Sequence, residues 1–262
     1  MTTLSPDTFP PGTFAPAPGR GALTRMLLTQ ARTEFVLTLR NGEQVLLTLL
    51  IPLGMLIGLT LLNVVPVPSP RVDHVTPRML ALAVMSTAFT GQAIALGFDR
   101  RYGVLKRLAA TALPRWSLVA GRMLAVLGVV LVQLVVLGAA ALALGWHPEL
   151  AGMAPAVLLI LAGTLAFGAL GVLLGGALRA EVVLAVANTV WLALVVAGGI
   201  VLAAHALPGP LATIVTALPS GALAEGLHTA LVTGTTPWNA LVVLLAWAAG
   251  AAVLAARTLR LS

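Results

Sequence analysis

The chain has no cysteine, which excludes disulfides and cysteine-ligated metal. Charge is scarce: 9% of its 262 residues are Asp, Glu, Lys or Arg, against 59% hydrophobic. A soluble domain carries about 25% charged residues, so this sequence has too few polar side chains to cover a globule in water. No secretory signal is expected in residues 1–21, which hold Pro6, Pro10, Pro11, Pro16 and Pro18 without an apolar core. That stretch is expected to be a disordered cytosolic tail. Catalytic signatures are lacking too: there is no G-x-S-x-G elbow and no H-E-x-x-H pair. A phosphate-binding P-loop needs glycine before lysine, and the one lysine, Lys106, follows Leu105. The net charge of +7 does not point to nucleic acid, because the cations fall between long uncharged runs rather than on one basic face.

What is present is a series of runs close to the roughly 20 apolar residues that cross a bilayer. They lie at about 45–65, 79–98, 118–145, 154–178, 182–204 and 240–256. The expected fold class is an all-α integral membrane protein with six transmembrane helices, residues 22–262 forming a single transmembrane domain. Pro52 should kink the first span, which membrane helices tolerate. The proline-rich linker PVPSPRVDHVTPR before the second is expected not to be helical. Residues 205–238 are broken by Pro208, Pro210, Pro219 and Pro237 into pieces too short to span, which predicts a re-entrant or interfacial hairpin. Its second piece reads as a helix with Ser220 as N-cap and Gly234 as stop.

Six spans put both termini on one side. Arg20, Arg25, Arg32 and Arg40 then share that side with Arg100, Arg101, Lys106, Arg107, Arg115 and Arg122, and with Arg179, Arg257 and Arg260. Only Arg71 and Arg78 lie opposite. The positive-inside rule assigns the thirteen to the cytosol, and both termini with them. The mixed segment Leu23 to Glu43 suits an amphipathic helix along that interface, although Glu34 interrupts its apolar stripe.

Within the spans, Ser86, Thr87, Thr90, Gln92, Gln133 and Asn188 are polar but uncharged. Such residues serve either as interhelical glue, at about 0.6 kcal/mol each, or as contacts along a translocation path. No Asp, Glu, Lys or His falls in mid-span, which argues against a proton- or sodium-coupled carrier. Gly168, Gly171, Gly175 and Gly176 favour close helix packing. His205, His228 and Glu225 permit a metal site on paper, but solvated imidazoles on a wet hairpin are the better expectation, and no metal is assigned.

The most charged segment is DRRYGVLKRLAATALPRWS, residues 99–117. It is at least a topology anchor. Tyr102, Leu105, Leu108 and Ala109 also recur at helical spacing, which makes a basic amphipathic surface suited to docking a partner protein. Around it, ARTEFVLTLRNGEQVLLTLLIP, FTGQAIALGFDRRYGVLKRLAATALPRW, LPSGALAEGLHTAL and the closing AARTLR resemble bacterial permeases of type-2 ATP-binding-cassette (ABC) exporters. The resemblance runs from about Ala31 to the end. It implies an elbow helix over Arg32 to Glu43, a cytosolic coupling helix between spans two and three, and an outer hairpin between spans five and six. It also implies that Asp99, Arg100, Arg101, Tyr102, Gly103, Lys106 and Arg107 couple the chain to an ATPase.

The resulting expectation is the permease subunit of an ATP-driven exporter in the bacterial inner membrane, a transporter subunit rather than an enzyme. Its partners would be a separate ATP-binding subunit, a second and identical permease copy, and membrane lipid, with no nucleic acid. This chain would hold no cofactor, ATP and magnesium being bound by the partner. The rival expectation is an ATP-independent carrier or channel, in which the basic loop only fixes topology.

Overall fold

The computed structural model describes residues 22–62, 67–110, 115–200 and 209–258; the tail and His205 lie outside them. Among the described residues there is no strand. Helix α1 (Leu23–Arg40) meets α2 (Gly42–Leu61) at Asn41, and the two are bent by 67°. The second span is assembled from α3 (Arg71–Met85), a π-turn (Ser86–Gly91) and α4 (Gln92–Arg101). The short α5 (Val104–Ala109) precedes the long α6 (Arg115–Ala143). Then come α7 (Met153–Ala177) and α8 (Ala180–Ala197), the short pair α9 (Gly209–Ala217) and α10 (Pro219–His228), and α11 (Trp238–Thr258). Five helices are long and apolar enough to cross a membrane, and the bent pair α1–α2 makes a sixth.

One expectation is corrected. The linker was read as non-helical for its prolines, yet the helix already starts at Arg71 and takes in Pro77. Proline at this position removes one hydrogen bond, to the Asp73 carbonyl, and leaves the rest of the turn intact. Tertiary contacts outweigh that loss. Val72, Val75, Thr76, Pro77 and Arg78 are buried, and Thr76 Oγ1 donates to Val72 O at 2.7 Å. Arg71 donates to Leu59 O at 2.8 Å and to Leu62 O at 2.9 Å, so it covers carbonyls that the end of α2 leaves open. The continuous run Arg71–Arg101 has 31 residues, about 46 Å at 1.5 Å per residue. It outreaches a hydrocarbon core of about 30 Å.

Helix α7 is the central post, packed by α11, α4, the π-turn and α10. It is apolar on every side, and only its small residues permit the approach on one of them. A Cβ added at Gly171 would sit 2.7 Å from Phe89 O, and one at Gly175 would sit 2.5 Å from Ala93 O. Larger side chains there would push the second and fourth spans apart.

At the far end, α9 and α10 form the expected pair of short helices. Their start differs in detail: Leu218, not Ser220, is the N-cap of α10, because Pro219 presets the first helical φ one residue earlier. Gly234 does end the helical stretch, at φ +71°, a conformation that glycine adopts without cost. The molecule thus has two polar ends: a basic end, holding α1, α5 and the α7–α8 turn, and a hairpin end, holding α9 and α10.

Candidate functional site

The π-turn lies midway along the second span, where Ser86, Thr87 and Thr90 break the run of larger apolar residues. Ser86 Oγ donates to Leu82 O at 2.7 Å and accepts from Trp191 Nε1 of α8 at 2.9 Å. Thr87 Oγ1 donates to Gln133 Oε1 of α6 at 2.8 Å, and Gln133 Nε2 donates to Thr48 Oγ1 of α2 at 3.0 Å. Two small polar groups result: Thr48, Gln133 and Thr87 tie the first, third and second spans, and Ser86 with Trp191 ties the second to the fifth. In an apolar medium such groups must find partners, because each one left open costs several kcal/mol.

Beside these two groups a cavity of about 600 Å³ opens between three walls. Asn41, Leu47, Thr48 and Ile51 form the first, and residues of the π-turn with Ile94 and Phe98 the second. Leu184, Asn188 and Trp191 of α8 form the third. Leu47, Ile51, Leu184 and Asn188 are exposed, so the cavity opens sideways between the first and fifth spans. Of the six polar residues singled out from the sequence, Ser86, Thr90 and Asn188 line it. Thr87 and Gln133 stand behind it in the first group, whereas Gln92 packs against Gly171 of α7. Thr90 Oγ1 and Gln92 Oε1 are shielded from water and have no hydrogen-bond partner. Sequence reasoning missed Trp191, three residues from Asn188 and so on the same helix face, and Asn41, a polar residue at the bend.

At the basic end three consecutive side chains go three ways. Asp99 pairs with Arg122 of α6, which also reaches Glu34 of α1 at 3.5 Å. The interruption that Glu34 makes in the apolar stripe of α1 is therefore a tether. Arg100 donates to Gly175 O at 3.1 Å, to Gly176 O and to Leu178 O at 3.2 Å, covering the last carbonyls of α7. A cation is favoured there by the helix dipole as well, by about 0.3–1 kcal/mol. Arg101 pairs with Glu181 of α8. Beyond them the chain turns at Gly103, with φ +69° and nothing within 4 Å of a would-be Cβ. The short α5 carries Lys106 and an exposed Arg107, whose Nη2 donates to Tyr102 O at 3.0 Å. Tyr102 is 63% exposed and lies near Phe98 and Arg101.

At the hairpin end the sequence promised solvated imidazoles. His228 is instead half-buried, its Nε2 at 2.7 Å from Nδ1 of His74 on α3. One turn away, buried Arg78 faces Glu225 at 3.9 Å. His228 and Glu225 thus both face α3, through His74 and Arg78. Among the described residues no group of three His, Asp or Glu gathers as a metal would require.

Apolar spans, small-residue helix contacts and a basic end define an all-α, multi-pass membrane protein. The chain matches the family described as ABC-2 type transporter over residues 25–232 and belongs to that family. It is a membrane permease of an ABC transporter, a class that works with an ATP-binding subunit. No match was found among curated proteins.

Proposed function

We propose that this permease is the membrane half of an ATP-driven exporter and that energy reaches it through α5. The observation that carries this reading is a short basic helix at the basic end, joined by the open turn at Gly103 to the second span. Tyr102 and Arg107 are exposed beside it, and Lys106 adds a second charge. These residues form the contact with acidic groups of the ATP-binding subunit, which holds ATP and magnesium. Asp99, Arg100 and Arg101 act inside the chain, joining α5 to α1, α6, α7 and α8. Two identical permease copies and two ATP-binding subunits make up the assembly. It sits in the bacterial inner membrane with both termini in the cytosol, as the thirteen-to-two distribution of cations supports. Cargo passes along the cavity beside the π-turn, which the two polar groups keep open.

The test is co-purification of the permease with its ATP-binding subunit. Lys106→Glu with Arg107→Glu is expected to abolish association and any stimulation of ATP hydrolysis by the permease. Full association of the double variant would overturn the docking role. Transport by the permease alone in liposomes would favour the ATP-independent carrier instead.

A further inference from the structure

The chemistry of the cavity wall restricts what it can hold. Among the described residues that line it there is no Asp, Glu, Lys, Arg or His. A charged group drawn into it would leave water without meeting a counter-ion, the costliest form of burial. Most of its polar atoms are already committed. Ser86 Oγ both donates to Leu82 O and accepts from Trp191. Thr48 Oγ1 accepts from Gln133 and reaches Val45 O, and Asn41 is engaged elsewhere. Two groups remain on opposite walls. Thr90 Oγ1 has no partner in the chain and is shielded from water, so it meets an acceptor in the cavity by turning between the two rotamers that threonine adopts in a helix. Asn188 presents an exposed amide, both donor and acceptor, at the rim. Apart from Gly91, the other described residues of the lining are apolar or aromatic: Leu47, Ile51, Ile94, Phe98, Leu184 and Trp191. A volume of about 600 Å³ falls within the usual range for drug-sized ligands.

We propose that the cavity takes an uncharged amphipathic molecule of drug size. Its apolar body lies against the aliphatic and aromatic wall, and a neutral hydrogen-bonding group such as an amide meets Thr90 and Asn188. The molecule enters sideways, from the bilayer, through the exposed rim formed by Leu47, Ile51, Leu184 and Asn188. This inference rests on the cavity serving as the cargo path, and the experiment separates the two.

The full-length chain, purified in detergent, is titrated with an environment-sensitive coumarin carboxamide and with its carboxylate and trimethylammonium analogues. Two variants accompany it. Thr90→Val removes the unpartnered hydroxyl at nearly constant volume. Asn188→Trp fills the rim at an exposed position, where folding is not threatened. The neutral probe is expected to bind saturably and at least about tenfold more tightly than either ion, a discrimination set by burial of charge. Thr90→Val should weaken it by about three- to tenfold, the scale of one hydrogen bond, and Asn188→Trp should abolish it. If all three probes bind equally well and all are lost in Asn188→Trp, the cavity remains a binding site but the uncharged class is wrong. If the neutral probe does not bind saturably, or binds Asn188→Trp as it binds the native chain, the cavity is not the site and the path reading falls with it.

Discussion

The cost of a buried charge is sharpest at Arg78, whose side chain is 9% exposed and whose counter-ion Glu225 is 21% exposed. Deleting one member of such a pair leaves the other charge without compensation, at about 3–5 kcal/mol, whereas replacing both by apolar residues is often neutral. Glu225→Ala is therefore expected to lower the thermal unfolding midpoint of the solubilised chain markedly. Arg78→Met with Glu225→Leu should recover most of the loss. A double variant as unstable as the single one would show that the pair is not what holds α10 to α3. In the sequence Arg78 is one of two cations on the outer side, and His228 belongs to a hairpin expected to be wet. Their partners, Glu225 and His74, lie about 150 positions away along the chain, and no local pattern announces a contact of that range. The polar mid-span residues were legible because water-loving side chains stand out in an apolar run. Which of them would face a cavity and which would face a neighbouring helix depends on helix rotation, and Gln92 went the other way from Thr90.

Among the elements, α7 shows how far a composition signal goes. Its glycines announced close packing, and Gly171 and Gly175 approach backbone carbonyls of the second span. They did not identify the neighbour. Gly175→Ala would drive a methyl group to 2.5 Å from Ala93 O, and overpacking of this kind costs about 1–3 kcal/mol. Gly138 of α6 has nothing within 4 Å of a would-be Cβ, so Gly138→Ala should be neutral or slightly stabilising through helix propensity. Thermal denaturation of the two variants side by side checks the contrast, and equal effects would contradict the packing described. Helix α1 offers a second case at this scale. It packs Gln30 and Phe35 on Gly121 and Gly128 of α6 and adds the Glu34–Arg122 ion pair, so Arg122→Ala is expected to speed amide hydrogen exchange across residues 23–40 modestly while leaving α11 unchanged. The proline-rich linker was misread for a general reason. Helix propensity is a local bias of at most about 3 kcal/mol per proline, and the burial of Val72, Val75, Thr76, Pro77 and Arg78 where α3 packs among α2, α6, α7 and α10 outweighs it.

For the whole molecule, hydropathy revealed where the spans lie, because a bilayer demands a minimum apolar length of every helix that crosses it; the second begins at Arg71, well before the expected 79, because its first turns are held by protein contacts. The orientation proposed from the cations can be read directly in a chain that has no cysteine of its own. Thr235→Cys, at the hairpin end, should react with a membrane-impermeant maleimide on intact cells. Thr258→Cys, at the end of α11, should react only after the cells are opened. The reverse pattern would invert the topology and remove α5 from the reach of any cytosolic ATPase.

The six-residue π-turn in the second span sets the two ends of that helix out of phase. Above it, His74 and Arg78 address α10; below it, Asp99, Arg100 and Arg101 address α6, α7 and α8. An α-helix advances about 100° and 1.5 Å with each residue. Deleting a single residue of the π-turn such as Ala88 would close the bulge into a regular turn and leave the lower half near its present rotation, whereas deleting one from the regular helix above it, such as Ala83, would swing the whole lower half by about 100° relative to the upper. All three basic-end contacts would then miss their partners although none of the residues making them had changed. The phase between hairpin and basic end is thus fixed by the regular helix on either side, and the π-turn is the one stretch of this span where a change of one residue in length is absorbed locally.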